Sequence, residues 1–115
     1  MSDIKRIIDK IKKFRDERDW MQFHNHKDMA LSLVLEAGEV LEHFQWKSQK
    51  EIDKYVKTNK DDIAEEIADV AMYLFELADN LGIDLKTAML KKLDKNIKKY
   101  PVEKARGRHT KYNKL

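Results

Sequence analysis

Four carboxylates set the chemistry this chain could do. Glu36 and Glu39 lie in LSLVLEAGEVLEHFQW, residues 31–46, and Glu66 and Asp69 lie in DDIAEEIADVAMY, residues 61–73. A spacing of three puts each pair one turn apart on one helical face. Two such helices side by side would gather four oxygen donors. The chain has no cysteine, and the residue three after each first acid is Glu39 or Asp69, never the His of a Glu-x-x-His di-iron motif. Oxygen-only donor sets favour magnesium, with manganese as the alternative, over zinc or copper. Magnesium keeps waters and binds phosphates, so the pattern points to a phosphorylated substrate and a metal-activated water. The competing reading at this level is structural: the acids pair with the abundant lysines.

The elements that must position these residues are helices. Ile4, Ile7, Ile8, Ile11 and Phe14 recur at helical spacing behind a Ser2 or Asp3 cap, so a first helix should run to about residue 19. Residues 20–28, WMQFHNHKD, break the pattern with two large aromatics and two histidines, as a ligand-contacting loop or a core plug would. A second helix is expected over about 28–46. Its apolar residues cover most of the circumference, leaving Ser32, Glu36, Glu39 and His43 on a narrow polar strip. Such a helix should be buried, with its acids pointing into a confined space. Ser48 and Glu51 form a capping box for a short helix over 49–57. Asp61 or Asp62 should cap the next long helix, on which Asp62, Glu66, Asp69 and Tyr73 share a strip, with Gly82 as its stop. Asp84 caps a further helix that ends before Pro101. The tail after it should be ordered only against a partner or ligand. The expected fold class is therefore all-α, with four main helices plus one short one, the two acid-bearing helices forming an antiparallel pair.

Composition agrees. Three glycines and one proline in 115 residues, with 42% hydrophobic and 39% charged residues, suit a single helical domain over 1–115 with a basic tail from about 102. The charged N-terminus does not read as a signal peptide, and no apolar run approaches the ~18 residues of a membrane span. A cytoplasmic protein with no membrane partner is expected. Residues 91–115 carry a local charge of +8 and residues 1–90 carry −5. The basic end suits a neighbouring polyanion.

LEAGE followed by EEIAD resembles the MazG-like all-α nucleoside triphosphate pyrophosphohydrolases, whose signature is EExxE, a gap, then ExxD. Twenty-six residues separate Glu39 from Glu66. Leu35 stands where the typical signature has its leading Glu, and the dCTP pyrophosphatase branch also lacks that acid. The chain further resembles that branch in ERDW (17–20), QFH (22–24), FQWK (44–47), a KxDxNxxxYP run through Lys92, Asp94, Asn96, Tyr100 and Pro101, and the terminal Lys111-Tyr112.

The resemblance implies a helical bundle completed by oligomerisation, as a homodimer or homotetramer whose neighbouring subunits complete each site. It implies hydrolysis of a (deoxy)nucleoside triphosphate, dCTP or a modified dCTP, to the monophosphate and pyrophosphate. The role would be house-cleaning or control of the nucleotide pool. It makes Glu36, Glu39, Glu66 and Asp69 the magnesium ligands and catalytic acids, Trp20, His24 and Trp46 base and sugar contacts, and Tyr73, Lys92 and Asn96 sugar and phosphate contacts. A His of the branch's first helix aligns with Ile11, which puts base preference in question more than chemistry. His26, His43 and His109 receive no role. The rivals are a nucleic-acid-binding helical protein using the basic C-terminal region, and a magnesium-binding module without turnover.

Overall fold

A computed structural model of the chain describes residues 2–115. Every regular element among them is helical, and they fall into two compact units, one running to Gly82 and one of Ile83–Leu115. The first unit holds α1 (Asp3–Glu17), a 3-10 turn (Met21–Phe23), α2 (His26–Glu42), α3 (Gln49–Thr58) and α4 (Lys60–Asn80). The second holds α5 (Leu85–Lys99), a single turn α6 (Val102–Ala105) and a 3-10 turn (Tyr112–Lys114).

Local chemistry explains most of the boundaries. The side chains of Ser2, Asn25, Ser48 and Asp84 each accept a hydrogen bond from a backbone N–H in the first turn of α1, α2, α3 and α5. The Ser48–Glu51 capping box is complete in both directions. At α4 the expectation fails: Asn59 is the cap residue, with no side-chain bond, and Asp61 and Asp62 lie inside the first turn, where they favour the positive end of the helix dipole. Gly82, at φ 71°, ends α4 with its N–H on the Asp79 carbonyl. The tail also departs from expectation, since it forms α6 and the second 3-10 turn. There Tyr112 meets Tyr100 edge-on, with Lys99 4.7 Å above its ring.

Within the first unit α4 is the hub. It packs most extensively on α2 and also receives α1 and α3. The pairings run in opposite directions: His43, at the C-terminal cap of α2, meets Glu66, early on α4, whereas the charge of Glu36, earlier on α2, acts on Tyr73, one turn beyond Asp69. The acid-bearing helices are thus antiparallel. Their shared core is small. Ile8, Met29, Ile63 and Ala78 are the buried apolar residues among those described.

That small core overturns one expectation. The second helix is not enclosed within its own chain: Leu31, Val34, Leu35 and Leu41 of α2 stand exposed, as do Ile67 and Leu74 of α4. The apolar circumference of α2 is real, but this chain covers only one side of it.

Candidate active site

On α4, Glu66, Asp69, Tyr73, Glu76 and Asn80 follow one another at alternating steps of three and four, which is one continuous strip of an α-helix. α2 brings Glu36 and Glu39 to the Glu66–Asp69 end of this strip. The Glu36 carboxyl titrates above the usual range. Burial is the largest cause, followed by the hydrogen-bonding and like-charged Glu39 and then by the charges of Asp69 and Glu66. Glu36 Oε2 and Glu66 Oε2 are occluded from solvent and receive no hydrogen bond.

Among the described residues, no Lys or Arg lies within ion-pair distance of the four acids. The structural alternative, acids paired with lysines, is therefore not what the fold builds. The group in range is His43, with Nε2 3.2 Å from Glu66 Oε1 but off line for a hydrogen bond, and with Nδ1 2.6 Å from the Tyr55 hydroxyl on α3. The donor set fits a hard cation: all oxygen, strongly negative, with orphaned oxygens. No three acidic or imidazole groups among the described residues converge tightly enough to grip a bare ion by themselves. A hydrated Mg²⁺ does not require a closed cage.

Beside the acids lies a cavity of about 470 Å³, into which Asp69 and Tyr73 face. Its walls are mainly apolar and aromatic: Ile7, Ile11 and Phe14 of α1, Met72 of α4, and Trp20 from the loop. Trp20 meets Phe14 edge-on at 5.6 Å, and the Arg18 guanidinium lies 3.8 Å over the Phe14 ring. The Tyr73 phenol titrates above its ordinary value, first through burial and then through the charges of Glu36, Asp69, Glu76 and Glu39, so its hydroxyl keeps its proton. At the far end Glu76 is held by His24, Asn80 and Arg15, with His24 Nδ1 2.7 Å from its Oε2.

The structure therefore brings Glu36, Glu39, Glu66, Asp69, Tyr73, Trp20 and His24 into one region of the first unit. Ile11, where the resemblance expected a histidine, is a wall of the cavity. Trp46 is elsewhere: it follows α2 at φ 64° and is 92% exposed. Lys92 and Asn96 sit one turn apart on α5, in the second unit. Sequence reading missed His43, Arg15 and Glu76. His43 had a signal, since it shares the polar strip of Glu36 and Glu39.

A model of the MazG-like family matches residues 31–115. The rat protein dCTP pyrophosphatase 1 is 41% identical over the whole of this chain and 67% of its own length, and the human protein of the same name is 39% identical over the same shares. A crystal structure of a pyrophosphatase from Archaeoglobus fulgidus superposes with a TM-score of 0.82 at 37% identity, covering 88% of this chain and 94% of that one.

Proposed function

Because the chain belongs to the MazG-like family, we propose that it is a nucleoside triphosphate pyrophosphohydrolase. It would convert a (deoxy)nucleoside triphosphate and water to the monophosphate and pyrophosphate, with dCTP or a modified dCTP as the substrate to test first. The relatives named dCTP pyrophosphatase 1 support that choice. The observation that carries the reading is the four-acid face, free of Lys and Arg and with orphaned oxygens, opening beside an aromatic-walled cavity.

Glu36, Glu39, Glu66 and Asp69 would hold Mg²⁺, or Mn²⁺ in its place. Bound there, the ion supplies charge neutralisation for phosphate oxygens and a lowered pKa for water. The protein's own groups do the rest. A carboxylate of the four takes the proton of the attacking water. Tyr73, protonated, donates to a sugar or phosphate oxygen. Trp20 offers a flat apolar surface to the base, and His24 is fixed in orientation by Glu76. The resemblance assigns Lys92 and Asn96 to phosphate and sugar. It gives Trp46 to the base, and so exposed a side chain suits a role in a neighbouring copy's site. The uncovered apolar residues of α2 and α4 support assembly as a homodimer or homotetramer. The cellular role would be removal of unwanted nucleotides.

The test is incubation with Mg²⁺ and a panel of canonical and modified triphosphates, with monophosphate and pyrophosphate quantified. Equal amounts of the two support the reading. Orthophosphate release, or tight DNA binding without turnover, overturns it.

A further inference from the structure

The end of the cavity away from the four acids carries a group that the reaction itself does not use. Glu76 is only 3% exposed and lines the cavity. Its neighbours all address one oxygen. His24 Nδ1 is 2.7 Å, Asn80 Nδ2 3.0 Å and Arg15 Nη1 3.5 Å from Oε2. Arg15 is itself buried and further fixed, donating from Nη1 to Asn80 Oδ1 at 3.3 Å and from Nε to Asp16 Oδ1 at 2.8 Å. Oε1 of Glu76 accepts no hydrogen bond from any described residue, and it is not among the occluded orphan atoms. A buried carboxylate clamped through one oxygen thus keeps the other for whatever fills the cavity.

The chemistry of that occupant follows. A carboxylate beside a guanidinium is an acceptor. The 2.7 Å contact to a carboxylate requires a proton on His24 Nδ1; in that tautomer of the uncharged ring, Nε2 is a second acceptor. Two neighbouring acceptors match the two N–H bonds of an exocyclic amino group. An imide N–H gives one donor flanked by two carbonyls, and the second acceptor would then face oxygen lone pairs. Spacing agrees as well. Asp69 and Glu76 are seven residues apart on one strip, about 10 Å along the helix axis, a reach comparable to that from the α-phosphate of a nucleotide to the far edge of its base.

We propose that Glu76 reads the exocyclic amino group of the base, so that this site takes amino-bearing bases and rejects their oxo counterparts. This rests on the site being a nucleotide site, and it names the residue that would set the base preference. Glu76 is the specificity-determining group, while Arg15 and Asn80 are positioning residues that fix which of its oxygens is free.

The test uses minimal pairs. dCTP and dUTP share sugar and phosphates and differ at the base edge; kcat/KM for each is measured on the wild type and on Glu76→Gln. The wild type should favour dCTP by at least about 100-fold, because a buried polar group left unpaired is what rejects an analogue. Gln can donate to the 4-oxo group while still accepting from its neighbours, so the variant's ratio should fall to within about tenfold, largely through KM. A merely structural role would lower both substrates alike and leave the ratio intact. Binding of dCMP and dUMP to the same two proteins, followed by calorimetry, gives the ratio without turnover. If no triphosphate is hydrolysed but dCMP outbinds dUMP only in the wild type, the function proposed above fails and this inference stands. A wild type indifferent to dCTP and dUTP, or a Glu76→Gln variant that keeps the wild-type ratio, overturns it.

Discussion

α4 carries carboxylates in two opposite settings less than three turns apart. At Glu66 and Asp69, acids face acids, Glu66 Oε2 is occluded without a hydrogen bond, and the basic group within ion-pair distance of Glu66 is an ill-aligned histidine. At Glu76, a deeper carboxylate has two hydrogen-bond partners and an ion pair on one oxygen. The difference lies in what each end lacks. The first arrangement is short of positive charge and suits something brought from outside. The second is balanced by the protein and can afford to be rigid. Rigidity at one end and unmet charge at the other suit a ligand that is read at its base and worked on at its phosphates.

The sharpest way to break this contrast is to remove each acid and compare the losses. Glu76→Ala removes the carboxylate shared by His24, Asn80 and the buried Arg15, which keeps Asp16, and should cost about 1–3 kcal/mol of stability, read as a lower denaturant midpoint. Asp69→Asn should do the reverse, leaving stability unchanged or raised while kcat falls roughly 10²- to 10³-fold. Equal destabilisation by the two variants would erase the distinction.

A smaller effect tests His43. If it and Tyr55 hold the Glu66 carboxylate, His43→Ala should weaken Mg²⁺ binding about 10- to 100-fold without changing the dCTP-to-dUTP ratio, as titration calorimetry and kinetics can show.

The smallest effect concerns pH. The folded-state pKa of Glu36 lies above its ordinary value. Its contribution to metal-free stability is therefore full below the ordinary carboxylate pKa and is lost as pH rises through the raised one. The proposed Mg²⁺ would bind the ionised form, so a melting-temperature rise on adding it should grow across that same window. A Glu36→Gln variant should lose this pH dependence.

The acid pairs and the helices around them were legible because helical periodicity places residues three and four apart on one face, and Glu36, Glu39, Glu66 and Asp69 announce themselves by local spacing alone. Glu76 does not. Within LFELADN it reads as one more acid of a helix surface, and its partners Arg15 and His24 come from segments that only tertiary packing brings near. The burial of α2 was misjudged for a related reason. A helical wheel shows how much of a helix is apolar, but not whether the covering surface belongs to the same chain.

Trp46 and Trp20 are the only two tryptophans in the sequence, and their settings differ: one projects into solvent from a left-handed backbone position, while the other forms a cavity wall against Phe14. The protein therefore has two built-in optical probes. Emission from Trp46 should lie towards the red and be quenched readily by iodide, with a shift to the blue as the sign of the proposed assembly if a second copy covers it. Emission from Trp20 should answer to a base entering the cavity. Trp20→Phe and Trp46→Phe variants would separate the two signals, so that assembly and nucleotide binding could be followed in one unlabelled sample.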